Sequence, residues 1–467
     1  MAEASDLPDE CWESIFKILK DDENDKHHLH FKSLSRVSNK FLSITSSLQS
    51  SLNVYNPTRF FLPAFLKRFT NLTSLNFTCF HDDLNEFLHQ LSRFPSNITS
   101  LNLSHKPVIP ADGLKAFSQN NKTLTSLKCS DVKFIDSYDL LLIADCFPLL
   151  EELDLSGDHQ FSICNNLHNG IATLSMKLFK LRKINLSRHS YMNDILLYRL
   201  FKNCKLLQEA IIFDCYSVSI AGITLALGER PTLRSLSFTH DSENFTNLFA
   251  LVTNHPSLSY ITMEYKRRWR MSMQNSNTLM DYVVSPQVKS LCLVRNTWLS
   301  DENVVTLASI FPNLQLLDLS YCDKISDGIC HVLNMCCKIR HLNLAHCSRV
   351  KLLGINFEAP KLEMLNLSHT RVKDETLGVI SKNCRGLLQL FLEKCVYVTN
   401  IGVNHVVENC TQLREINLKK CCRVNSKVVA SMISSRPSLK KIHVPPSYGF
   451  NNKEERDFWW SHRGLLC

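Results

Sequence analysis

Apolar residues return along this chain with a period near 26. From Leu72 onward, one unit recurs fifteen times: an apolar residue, two variable ones, a second apolar residue, one variable residue, and a third apolar residue. The units open at Leu72, Ile98, Leu124, Leu150, Leu181, Leu207, Leu233, Leu258, Val288, Leu314, Ile339, Leu362, Leu387, Leu413 and Leu439. Eight of the fourteen intervals are 26 residues, and the others run from 23 to 31. Leu314, Leu317 and Leu319 show the motif, and its last two anchors alternate with variable residues at the strand period of two. The return segments change to helical spacing: Val304, Leu307, Ala308 and Phe311, or Val403, Val406, Val407 and Cys410, mark one apolar helix face. A unit of one strand and one return segment cannot bury its apolar face alone, so the units must stack.

A period of roughly 20–29 residues with L-x-x-L-x-L-x-x-N/C is the leucine-rich-repeat signature. It predicts an α/β solenoid, a right-handed horseshoe from about Leu52 to Val444, with parallel strands on the concave side and helices on the convex side. Cys322, Cys347, Cys395 and Cys421 lie three residues after the third anchor, where the repeat allows Asn or Cys. Cys204, Cys336, Cys384 and Cys410 precede an anchor by three. The spacing resembles the cysteine-containing class of these repeats, seen in F-box proteins. Leu317, Leu319, Cys322, Ile325, Asp327 and Gly328 carry that resemblance, and Leu390, Leu392, Cys395, Val398 and Gly402 repeat it.

Composition narrows the field further. The 19 cysteines are odd in number, include no C-x-x-C pair, and follow an acidic N-terminus without a signal-like apolar stretch. They read as packed thiols in a reduced, intracellular protein, in cytoplasm or nucleus, with no metal and no cofactor. The net charge of +9 is spread thinly and forms no basic block that would argue for nucleic acid. No apolar run reaches the ~18 residues that a membrane span requires. No H-E-x-x-H, G-x-S-x-G or Gly-rich phosphate loop occurs, so the expectation is a non-catalytic protein. His27, His28 and His30 read as part of a solvated loop.

Residues 7–54 do not follow the repeat. Pro8 with Asp9 and Glu10 opens a helix. Trp12, Ile15, Phe16 and Leu19 then fall at i, i+3, i+4 and i+7, and a second register runs through Leu34, Val37, Phe41, Ile44 and Leu48. On spacing alone, this is a cap on the first repeat or a partner-binding module. The segment resembles an F-box. Leu7, Pro8, Glu10, Ile15, Phe16 and Leu19 match the family's opening, and Leu34, Val37, Phe41 and Leu42 match its close. It departs from the pattern in the polar run after Lys20 and in Phe41, where the family usually has Trp. Coupled to cysteine-class repeats, it resembles plant F-box/leucine-rich-repeat proteins. That resemblance implies a substrate receptor of a cullin-based ubiquitin ligase, with those ten residues docking a Skp-type adaptor.

The chain then divides into an F-box (1–48), a solenoid (49–446) and a C-terminal cap or tail (447–467) whose Phe458, Trp459 and Trp460 would seal the last strand. Between the strand anchors most residues are small and polar, such as Ser74 and Asn76 or Ser100 and Asn102, and read as a solvated surface. Ile211, Phe213, Tyr260, Val294, Leu316, Met364 and Phe391 break this pattern and mark a candidate site for a protein substrate. One long repeat adds a basic loop with Arg267, Arg268, Trp269 and Arg270, suited to an acidic segment or a phosphate, or simply solvated. The other readings are a small-molecule or inositol-phosphate dependent receptor of the same plan, and a repeat-only scaffold whose F-box has decayed.

Overall fold

Buried leucines fix the architecture. All fifteen anchors are at most 6% exposed, and a strand opens two residues after each of them. The computed structural model describes residues 7–21, 33–94, 97–157, 167–240, 251, 255–266, 283–353, 357–425, 427–446, 462 and 465–466. The chain forms two compact units, Met1–Val218 and Ser219–Cys467.

Among the described residues of the first unit, seven parallel strands run from Ser51–Asn53 to Glu209–Ile212. The register puts Leu75, Leu101, Leu127 and Leu153 side by side, so the central residues form a continuous apolar row. Among the described residues of the second unit, nine parallel strands run from Ser235–His240 to Lys441–His443. Here Leu291, Leu317, Leu342, Leu365, Leu390, Ile416 and Ile442 are aligned. Each unit is therefore a leucine-rich-repeat stack with one strand per repeat. The return helices bury the stripes that the spacing marks: Val304, Leu307 and Ala308 in Asp301–Ile310, and Val403, Val406 and Val407 in Asn400–Asn409.

Three cross-repeat devices align the stack. Among the described residues, the one two places after the third anchor has a positive φ in ten repeats, His105, Arg188, Tyr321, His346 and His369 included. Such a backbone is costly for a side chain other than Gly. It is offset because its N–H reaches the next repeat: Tyr321 N to Ala345 O at 2.9 Å, and His369 N to Glu393 O at 2.7 Å. The following residue donates backwards. Cys322 Sγ reaches Leu293 O, Cys347 Sγ reaches Leu319 O, Cys395 Sγ reaches Leu367 O and Cys421 Sγ reaches Leu392 O, all at 3.0–3.1 Å. His189 and Asn296 take the same place through Leu155 O and Met263 O. The third device is an aspartate. Asp374 accepts from Thr399 N, Thr399 Oγ1 and Gly402 N of the following repeat.

The shortest interval has a visible consequence. Among the described residues there is no helix between the strands His341–Asn343 and Met364–Asn366. At the last strand, Leu466 bridges Ile442 in parallel, and Ile442 N donates to Leu465 O at 2.8 Å, so the chain end covers the open edge. The tail aromatics Phe458, Trp459 and Trp460 and the loop residues Arg267, Arg268, Trp269 and Arg270 lie outside the described residues, as do His27, His28 and His30. No helix among the described residues is long and apolar enough to cross a membrane.

Candidate partner-binding surfaces

The N-terminal segment forms two helices, Asp9–Asp21 and Asn39–Ser47. Ser38 caps the second by accepting from Phe41 N at 3.1 Å. Lys40 joins the helices by pairing with Asp9 at 3.0 Å and donating to Leu7 O. Asn71 Nδ2 to Ser47 O and Arg68 Nε to Ser46 Oγ tie the pair to the first repeat. Its interior is an aromatic triad: Trp12, Phe16 and Phe41, with centroids 4.7–6.0 Å apart.

The triad splits the apolar stripe of the first helix. Phe16 is 1% exposed and faces Phe41, while Ile15, Ile18 and Leu19 face outward, Ile18 at 70%. Leu7, Pro8, Glu10 and Val37 are exposed too, and Leu34 and Leu42 are half-buried. Phe16 and Phe41 thus hold the pair together, whereas Leu7, Ile15, Leu19 and Val37 present apolar surface. Sequence reading missed Ile18, which continues the Ile15 face at i+3, and did not see that Trp12 supplies the partner ring for Phe41.

On the strand face, the asparagine ladder has a structural task that the solvated reading did not give it. Asn102 Oδ1 accepts from Ser104 N, Asn185 from Ser187 N, Asp318 from Ser320 N and Asn366 from Ser368 N, at 2.9–3.1 Å. Each bond turns the chain out of its strand. Phe391 aligns with Asn366 and Asn417 in the second unit, and Ile211 aligns with Asn185 in the first. Both give up that turn bond for a half-buried apolar side chain.

The other apolar residues occupy different lanes. Tyr260, Leu316 and Met364 share one lane of the second unit, interleaved with Ser290 and His341. Tyr260 is 48% exposed, and Leu316 and Met364 are half-buried. Val294 follows its strand, and Phe213 belongs to the first unit, where its N–H donates to Ser187 Oγ at 3.2 Å. The lane beyond Met364 turns ionic. Glu415 pairs with Lys441 at 3.2 Å and His443 at 3.3 Å, and accepts from Gln389 at 3.0 Å.

The positive-φ bends align a further row at the strand ends of the second unit. Tyr321, His346 and His369 stack with centroids 4.1 and 4.0 Å apart and planes within 18°. Arg295 covers the outer face of Tyr321 at 5.5 Å and pairs with Glu264 at 2.7 Å. Lys394 and Lys420 extend the row. Burial, reinforced by His346 and Lys394, lowers the His369 pKa and so favours the neutral ring in the stack. The equivalent row in the first unit is self-neutralising: Asp131 lies 3.7 Å from His105 and 3.8 Å from Arg188. Residue identity could not reveal this row, because Arg, Tyr, His and Lys share only a backbone bend.

No family model matches the chain. Over 128 residues it is 30% identical to the antagonist of mitotic exit network protein 1 of Eremothecium gossypii, covering 26% of this chain and 33% of that protein. It therefore spans about a third of the length of the curated relative it matches. Among solved structures it is similar to the complex of Rad7 and Elc1 in yeast, at 18% identity and a TM-score of 0.49, with 90% of this chain and 93% of that chain covered. It is also similar to an internalin from Listeria monocytogenes, at 16% identity and a TM-score of 0.39, with 70% and 92% covered. The fold rests on the chain's own evidence: one buried anchor motif and one parallel strand per period make it an α/β leucine-rich-repeat protein.

Proposed function

We propose that this chain is a non-catalytic, substrate-binding subunit of a cullin-based ubiquitin ligase. The N-terminal helix pair docks a Skp-type adaptor, and the repeats hold a protein target. The observation that carries the proposal is the apolar face of the helix pair. Leu7, Ile15, Ile18, Leu19 and Val37 are exposed, outside the aromatic interior to which Trp12, Phe16 and Phe41 contribute. A helix pair that only capped the first repeat would turn such residues inward. Several large apolar side chains on one small surface are the ordinary mark of a protein interface. The resemblance of residues 7–42 to an F-box supplies the adaptor's class.

The target surface in this reading is the strand face. In the second unit Phe391 stands where its neighbours have turn-forming asparagines, and Tyr260, Leu316 and Met364 provide an apolar lane; in the first unit Ile211 takes the place of such an asparagine.

The test is affinity purification of the full chain from native tissue followed by mass spectrometry. Recovery of a Skp-type adaptor and a cullin with wild type, and their loss with Leu7→Ala/Pro8→Ala, supports the proposal. Equal recovery with the variant, or recovery of target proteins without any adaptor, contradicts it.

A further inference from the structure

The shortest repeat leaves a cavity. Among the described residues there is no helix between Asn343 and Met364, and an irregular crossing at Lys351–Leu353 lies beside the N-terminus of Asp374–Asn383. Thr376 Oγ1 fixes that crossing by donating to Lys351 O at 2.7 Å, and Leu353 N donates to Asp327 Oδ1 at 3.4 Å. The result is an open cavity of about 860 Å³. Its volume suits a small molecule or one side chain with its flanks.

Its lining is cationic. Arg349, Lys351, Arg371 and Lys373 all border it and all are solvent-exposed. Among the described residues, none of the four makes an ion pair. Two acids share the lining, Asp327 and Glu375, so four positive groups face two negative ones. Asp374, next in the chain to Lys373, is turned away to Thr399 and Gly402. Lys373 is also the N-cap of its helix and makes no side-chain cap bond. The first turn of that helix carries Asp374 and Glu375, which answer its dipole, so the four cations are a separate surplus of positive charge. Val350, Leu353 and Tyr397 add an apolar wall.

We propose that this cavity binds the phosphoryl group of an organic phosphate. Arg349 and Arg371 take the oxygens, Lys351 and Lys373 add charge, and the organic part rests on Leu353 and Tyr397. Arginine forks match a tetrahedral dianion, and the apolar wall favours an organic phosphate over a bare inorganic ion. The site is independent of the adaptor surface.

Calorimetric titration of the full chain tests this with inorganic phosphate, O-phospho-L-serine and an oriented library of phosphoserine peptides. Wild type is expected to bind the organic phosphates more tightly than inorganic phosphate, with affinity falling as salt rises. Arg349→Gln/Arg371→Gln is expected to weaken binding at least tenfold, with its melting temperature unchanged or raised, while Lys419→Gln/Lys420→Gln binds as wild type does. Peptide binding tenfold tighter than the free amino acid assigns the phosphate to a protein partner, and equal binding assigns it to a free metabolite. Absence of binding to all three probes, or equal binding by the Arg variant, overturns the proposal.

Discussion

Cys421 Sγ lies 3.0 Å from the carbonyl oxygen of Leu392, 29 residues earlier in the chain. The same relation joins Cys215 to Leu186, Cys322 to Leu293 and Cys347 to Leu319. These thiols are cross-repeat donors inside the stack. Replacing Cys421 by Ala removes the donor and leaves a small void, which is expected to cost about 1–2 kcal/mol. Urea denaturation measures this, and an unchanged midpoint would show that the contact contributes nothing.

The same burial sets a pH dependence. It pushes the thiols of Cys336, Cys347, Cys384 and Cys421 up to about 12 from an ordinary 9.0. The folded-state pKa is raised, so this contribution is fully present below pH 9.0 and is lost as pH climbs toward 12. Urea midpoints should fall between pH 8.5 and roughly 11, and fall less steeply in Cys347→Ala/Cys421→Ala. The exposed Cys11, Cys79, Cys337 and Cys422 should label rapidly in native protein while the four buried thiols resist. Rapid labelling of Cys347 would contradict this picture.

Two glycines at helix positions should respond in opposite ways. A Cβ at Gly402 would overlap Asp374 Oδ1 and lie 2.9 Å from Leu377 Cδ1, so Gly402→Ala is expected to cost about 1–3 kcal/mol. At Gly228 a Cβ meets nothing within 4 Å, and Gly228→Ala is expected to be neutral or to stabilise by up to about 1 kcal/mol. Thermal melts of the two variants decide the matter, and equal effects would show that the Asp374 relay is not a constraint.

Phe391→Asn puts the turn-forming residue back. It aligns with Asn366 and Asn417, so stability is expected to hold or rise by about 1 kcal/mol. Target recruitment is expected to fall at the same time. A stability loss with recruitment intact would mean that Phe391 is a packing residue.

Much of this was legible in the sequence, because burial there follows a strict period. Anchor residues are selected by a common neighbour, the next repeat's anchor, and every one opens a strand where the spacing placed it. The 23-residue interval between Ile339 and Leu362 stands out in the sequence, but that no helix is described there was not legible in it. Sites made by neighbouring repeats were not legible. The Tyr321–His346–His369 stack depends on a backbone bend that residue identity does not encode. The cavity lined by Arg349 and Arg371 draws its walls from loops of different repeats, which no single repeat's sequence displays. At the N-terminus, Ile15 and Phe16 satisfy the same helical spacing, and only the position of Phe41 tells the inward residue from the outward one.

The central claim is that the outer apolar face of the N-terminal helix pair docks an adaptor. Titration of the purified full chain against a purified Skp-type adaptor tests it most directly, comparing wild type with Ile15→Glu/Ile18→Glu. Both replacements are on exposed positions, so the variant should keep its melting temperature. The account predicts a one-to-one complex for wild type and at least a hundredfold weaker binding for the variant. No complex with wild type, or equal affinity for both, would contradict it.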